Sequence, residues 1–385
     1  MNTPFSKGIS LRNVGVVELA TAGNCLTRAK GETMTRSLFA GLVVLGSMLA
    51  FASTEASAQQ LYAGTCENGQ GKVYAYQGAT TWTAISPATG LDYAVLSIVQ
   101  FDGSLYASTK SSSYLTSGRV WRYNGGTSWT VVADNLDQDV RMAVYNGQLY
   151  AGTASNAPKL YRYDASAKNF SYVGTVPLMT YGIGAMYSSS YGYLQLGGIE
   201  CDDLAHFDGT KLTFDVEENP EGGSCIYDYA EFNKKLYAAA YVGHLYGSTD
   251  GITWSTVLSS DNGDYGASIH QVAPFQDRLY LAYEDGELAY LDSSEVWHSV
   301  LKASKDIPAM LADGNTTLYY GTGQAEASTN GYVYAYTGSG DPTLISDDIG
   351  SVQYLYMVGV PEPGTLSLLA LAGGTLLLRR RRAAH

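Results

Sequence analysis

The segment Leu61-Tyr62-Ala63-Gly64-Thr65 returns along the chain, and this repetition restricts the fold more than any other feature. Close copies stand at Leu105-Tyr106-Ala107-Ser108-Thr109 and Leu149-Tyr150-Ala151-Gly152-Thr153, and weaker ones start at Tyr193, Leu236, Leu279 and Leu318. Successive starts lie 44, 44, 44, 43, 43 and 39 residues apart. A fixed period of this kind marks one supersecondary unit that cannot bury its apolar face alone and stacks on its own copies. Propeller blades of four antiparallel strands recur every ~40–45 residues, so the spacing predicts an all-β, seven-bladed β-propeller.

Within each period the order is constant. An A strand ends in a turn such as Asn146-Gly147, and the Leu-Tyr segment follows as strand B. Strand C, such as Val120-Trp121-Arg122-Tyr123 or Leu160-Tyr161-Arg162-Tyr163, leads to a turn such as Asn124-Gly125 or Asp208-Gly209. Strand D carries Trp82, Trp129, Trp254 or Trp297. Asn-Gly and Asp-Gly predict type I′ hairpins, whose two central residues need positive φ. The 32 tyrosines, 43 glycines and only 15% charged residues suit half-buried strands joined by tight turns. The body enters directly at the B strand of Leu61, and a spare A-like strand, Ser351–Met357, remains after the seventh blade. That strand is expected to complete blade 1 and close the ring, leaving only short edges.

The strand-D tryptophans and strand-C tyrosines resemble kelch-like and related bacterial propeller repeats, although the kelch double glycine is absent. Ser248-Thr249-Asp250-Gly251-Ile252-Thr253-Trp254 resembles the Asp-box of sialidase-type propellers, one residue short and present once. In those proteins the Asp-box braces a turn away from catalysis, so the likeness concerns fold.

Both ends read as addresses. Residues 1–33 match no targeting pattern and read as an over-extended start or a leader. Met34-Thr35-Arg36, the apolar run Leu38–Ala52 and Ala56-Ser57-Ala58 form a Sec signal peptide over 34–58, with a signal helix and cleavage expected after Ala58. The propeller is expected over 59–360. Beyond it, Pro361-Glu362-Pro363 precedes the apolar run Gly364–Leu378 and then Arg379-Arg380-Arg381-Arg382. A helix over that run rises ~1.5 Å per residue and falls short of a ~30 Å hydrocarbon core, but the arginines are a strong positive-inside stop. This tail, 361–385, resembles the PEP-CTERM sorting signal, with its short transmembrane helix. The resemblance implies recognition by exosortase, a membrane protease. It also implies an exported protein of a Gram-negative bacterium linked to exopolysaccharide and biofilm. The Sec machinery and exosortase are then the partners, and the cell surface or extracellular matrix is the destination.

From residue 59 to 360 there are 14 Lys and Arg against 32 Asp and Glu, a net charge of −18. With no basic stripe, such a body repels nucleic acid. Alternation places the A–B and C–D turns on one face of the ring, and the B–C and D–A loops on the other. Glu67, Asp137, Asp139, Glu200, Asp202, Asp203, Glu217, Glu218, Glu221, Asp261, Asp264, Glu284, Asp285, Asp347 and Asp348 all fall on the second face, so most of the excess negative charge is expected to converge around one mouth of the channel. Carboxylates and carbonyls are hard ligands suited to Ca²⁺, so Asp202, Asp203, Asp261 and Asp264 are the candidate ligands, though none sits in a defined calcium loop. Otherwise no cofactor is expected. Eight residues before the B-strand starts stand Ser97, Arg141, Asp228 and Gln271, with His270 beside the last. If they face the channel, these five ring the mouth, where propellers hold ligands. Cys201 and Cys225 share the acidic face and are the favoured disulfide in an oxidising compartment, while pairing of Cys66 with either stays open.

Catalytic signatures are missing. There is no His-x-His pair and no Gly-x-Ser-x-Gly, and Gly182-Ile183-Gly184 and Gly321-Thr322-Gly323 both lack a third glycine. A sialidase needs several inward arginines, and only Arg141 lies on an inner strand. His206, His244 and His298 read as residues of C or D strands. The expectation is a non-catalytic surface or matrix scaffold that binds exopolysaccharide. The alternative is a polysaccharide hydrolase or lyase using Asp228 and His270 as acid and base.

Overall fold

The computed structural model describes residues 59–359 except 112–116, 135, 156, 177–181, 200–203, 218–224, 260–265 and 324–329. The signal and tail segments, including Ala56, Ala58, Pro361, Glu362, Pro363 and Arg379 to Arg382, lie outside the described residues. So do both expected terminal helices. Among the described residues no helix is long and apolar enough to cross a membrane.

The described residues form seven antiparallel sheets, one for each repeat. Blade 1 takes its A strand from Ser351–Val358 and its B, C and D strands from Gln60–Glu67, Gln70–Gly78 and Thr81–Ala84. Blades 2 to 7 begin with the A strands Ala94–Phe101, Val140–Tyr145, Ile183–Ser188, Ile226–Phe232, Ile269–Phe275 and Asp306–Asp313. The ring closes as its repeats predict: Leu61 pairs with Met357, Ala63 with Leu355 and Thr65 with Val352. Blade 5 departs from the four-strand expectation. Val216–Glu217, leaving blade 4, adds a short parallel strand outside Thr253 and Trp254.

The small fourth residue of the Leu-Tyr-Ala-Gly motif has a packing cause. In four blades the B strand has glycine there, opening a socket that a branched residue from the next A strand fills. A Cβ on Gly64 would lie 2.6 Å from Val95 Cγ1, one on Gly197 2.5 Å from Ile226 Cβ, and one on Gly321 2.3 Å from Val352 Cγ1. Val95, Val140, Ile226, Ile269, Ile307 and Val352 are fully buried, and Ile183 nearly so. These are β-branched residues, stiff at χ1, so the socket cannot give way cheaply. Gly197→Ala is therefore expected to cost ~1–3 kcal/mol through overpacking against Ile226, read as a lowered urea midpoint with unchanged m.

The tryptophans of strand D also join blades. Trp82 Nε1 donates to Ile345 O at 2.8 Å and Trp129 Nε1 to Ile85 O at 2.8 Å, each across to the preceding blade. Trp254 Nε1 donates to the buried carboxylate of Asp215 in blade 4 at 3.1 Å, and the other Asp215 oxygen meets His206 Nδ1. Burial pushes the Asp215 carboxyl up to about 6, against the lowering effect of those two partners. Trp297 differs, donating within its own blade to Tyr283 Oη at 3.0 Å. His206 and His298 lie on strands C and D as expected. His244 instead precedes its C strand, at the end of the 3-10 turn Tyr241–Gly243.

Turn chemistry differs between the A–B and C–D turns, which share one face. Asp102-Gly103, Asn146-Gly147, Asn233-Lys234 and Gln276-Asp277 have paired positive φ, as type I′ hairpins require. The C–D turns do not follow that expectation: at Asp208-Gly209 only the glycine has positive φ, and at Asn124-Gly125 the asparagine does not. In blades 3 to 6 an aspartate carboxylate accepts backbone N–H bonds instead. Asp164 takes Ser166 and Ala167, Asp208 takes Thr210 and Lys211, Asp250 takes Ile252 and Thr253, and Asp292 takes Ser294 and Val296. An aspartate brace of this kind, suggested once by the sequence at Asp250, is thus built four times among the described residues.

Candidate functional site

The A strands meet the axis with one residue too many. In blade 2, Val95 pairs with Thr109 and Ser97 with Ser108, leaving Leu96 as a bulge. The same irregularity isolates Gly184, Tyr227, His270 and Gln353, and in blade 7 it falls at Ile307-Pro308. Blade 3 has an unbroken ladder, with Val140 on Thr153 and Arg141 on Gly152. A bulge re-aims a side chain without slipping the rest of the register. Here its effect is to send two successive residues, rather than alternate ones, towards the axis.

Those residues line a cavity of about 240 Å³ at the face that carries the B–C and D–A loops. All five residues expected at the mouth are present: Ser97, Arg141, Asp228, His270 and Gln271. Around them stand Leu96, Tyr227, Pro308, Gln353 and Tyr354, with Lys110 and Asp139 at the rim. Counting by period found the second bulge position and missed the first, apart from His270. A branched residue two places before Ser97, Asp228 and Gln271 was the available signal.

Three of the five also tie neighbouring blades together. Ser97 Oγ, 2.6 Å from Ser108 Oγ, accepts from Met142 N at 3.0 Å. Arg141 Nε donates to Gly184 O at 3.0 Å, and Asp228 Oδ2 accepts from Val272 N at 3.0 Å. The polar ring therefore holds the cavity wall in place as well as lining it.

Its electrostatics are largely neutral near pH 7. Asp228 is half-buried, reachable from the cavity yet deeply surrounded by protein. That burial pushes its carboxyl up to about 7, although the backbone N–H groups of Val272 and Tyr229 pull the other way. Burial lowers His270, partly offset by Glu284 at 3.8 Å. Burial raises the Tyr227 phenol, and its ring meets His270 edge-on at 4.9 Å. Lys110 pairs with Asp139 at 3.5 Å.

Among the described residues, the acids of that face do not converge on the cavity as the sequence suggested. Asp139 is the one member of that group, among the described residues, that lines it. Asp137 binds Lys159 at 2.9 Å and Asp285 binds Lys302. Glu67 accepts from Tyr74 Oη at 2.9 Å, and Asp348 caps the backbone N–H groups of Gly331 and Gly350. These acids are struts between loops and strands. Asp92, which the sequence reading passed over, does the same for Arg119, Thr109 and Trp121.

Asp202, Asp203, Asp261 and Asp264 lie outside the described residues, and among the described residues no cluster of three or more metal-ligating side chains occurs. Cys201 also lies outside them. Cys225 Sγ meets the carbonyl of Ile199, at the start of the loop that carries Cys201. Cys66 is buried in the B strand of blade 1.

No family model matches this chain, and no curated protein matches it. Among solved structures it is similar to PorZ, an essential bacterial surface component of the type-IX secretion system of Porphyromonas gingivalis. That match has 14% identity and a TM-score of 0.50, covering 76% of this chain and 37% of the other. It is also similar to a protein named as the extracellular domain of the hybrid two component system BT4673 of B. thetaiotaomicron. There the identity is 15% and the TM-score 0.52, with 77% and 37% covered. The chain thus spans little more than a third of either neighbour. At such identities the likeness shows a shared β-propeller fold.

Proposed function

We propose that this chain is an exported cell-surface or extracellular-matrix protein whose propeller is a non-catalytic scaffold that binds exopolysaccharide at the axial cavity. The Sec-type leader and the PEP-CTERM-like tail supply the route, with exosortase as the sorting partner. The observation that carries the binding reading is the composition of the cavity: a near-neutral acid, a neutral imidazole, two glutamines, two tyrosines and one arginine. Donors and acceptors without strong net charge, interleaved with aromatic rings, suit a hydroxyl-rich ligand. The acidic body disfavours nucleic acid. The two neighbours come from a surface component and an extracellular domain, which agrees with export.

The purified body is expected to be retained by matrix polysaccharide and to give hits on a glycan array, without releasing soluble product. Absence of any retained glycan would remove the binding reading. One observation favours the hydrolase or lyase alternative: a carboxyl held near 7 in a cavity is what a general acid requires. Release of new reducing ends or unsaturated sugars, abolished in Asp228→Asn, would establish that alternative instead.

A further inference from the structure

Beside the cavity stands a tyrosine that the repeat does not call for: Tyr241, close enough to the lining residue Tyr227 for the two phenols to interact. In blade 5 the B–C connection is the 3-10 turn Tyr241–Gly243, and Val242 sits in the left-handed region at φ 54, ψ 36. A β-branched side chain is a true outlier there, because its Cβ crowds the backbone, and such strain persists only where the surroundings enforce it. The surroundings here are specific. Tyr241 N donates to Cys225 O at 3.0 Å and His244 N to Tyr241 O at 3.3 Å, and the turn packs on the A strand of blade 6. That A strand opens with His270 and Gln271, while Cys225 leads into Tyr227 and Asp228. The enforced conformation leaves the tip in solvent, with Tyr241 44% and Val242 37% exposed. A lone exposed tyrosine is too little apolar surface for a protein interface. Its face is the right size for one sugar ring.

The cavity itself, at about 240 Å³, is smaller than the ~300–1,000 Å³ of sites that enclose drug-sized ligands. It has room for about one pyranose. From these two observations we infer that the site takes an oligosaccharide end-on, its terminal ring in the cavity and its next ring stacked on Tyr241. This rests on the carbohydrate reading above.

The test uses the strongest array hit as mono-, di- and trisaccharide, titrated against the full propeller body. Wild type is expected to bind the disaccharide several-fold to about tenfold more tightly than the monosaccharide, the scale of one aromatic contact. Tyr241→Ala is expected to erase that step while leaving monosaccharide affinity and the unfolding midpoint unchanged, and Tyr241→Phe to restore it. The same step in Tyr241→Ala as in wild type overturns the inference and leaves the cavity reading standing. Failure of wild type to bind any glycan overturns both.

Discussion

A chain ending after Gly350 is expected to lose cooperative unfolding, whereas one ending after Gly359 is expected to keep it. The difference between them is the strand Ser351–Val358, which supplies the A strand of blade 1. Val352, Leu355 and Met357 are at most 5% exposed. Burying three such side chains contributes about 5–9 kcal/mol, comparable with the ~5–15 kcal/mol that separates a whole folded domain from its unfolded chain. Losing the strand also empties the socket at Gly321 and strips the ladder from Gln60–Glu67, so two blades are damaged. Urea unfolding followed by tryptophan fluorescence and by far-ultraviolet circular dichroism reads the result. Two coincident sigmoids for the shorter chain would show that blade 1 does not depend on its last strand.

The second large effect is a dependence on pH set by Asp228. Its carboxyl rises from an ordinary 3.8 to about 7 in the folded protein. The folded state therefore holds a proton that the unfolded state has released between those values. The resulting stability is full below about pH 4 and is lost as pH rises through about 7, on the order of 4 kcal/mol if Asp228 acts alone. Asp215, raised to about 6, adds a loss of the same sign between pH 4 and 6. Asp228→Asn keeps an oxygen that can accept from Val272 N and removes the proton. It is expected to be more stable than wild type by about 4 kcal/mol at pH 8 and by about 1–2 kcal/mol at pH 5, converging with it only near pH 4. Parallel melting curves for the two proteins from pH 5 to 8 would sink this account.

Repetition made most of the architecture legible. Six of the seven repeat starts fell on B strands and the seventh, Tyr193, one residue before Leu194–Gly198; the unpaired Ser351–Met357 segment closed the ring, and strand-D tryptophans lay where the period put them. Period counting reached Ser97, Arg141, Asp228 and Gln271 because a register, once fixed, assigns every second side chain to a face. It passed over Leu96, Tyr227 and Gln353 because a bulge interrupts that alternation and carries no composition of its own. Acids on the loops read as a charged mouth because sequence shows charge and not its partner; Lys159, Lys302 and the N–H of Gly331 were too distant in the chain to associate with them. The indoles of Trp82, Trp129 and Trp254 donate across blades, so their role too needed the assembled ring.

The bulges also separate what the molecule binds from what keeps it folded. Each branched residue that fills a socket sits immediately before the extra residue in blades 1, 2, 4 and 5, so one position serves cohesion while its neighbour faces the axis. Leu96, Gly184, Tyr227, His270, Pro308 and Gln353 are six different amino acids carried on one frame. The frame behaves as a turret with exchangeable pegs. On the binding role proposed above, ligand preference can be rewritten at five of those positions while the seals between blades stay as they are; at Gly184 a Cβ would lie 2.9 Å from Ile226 O.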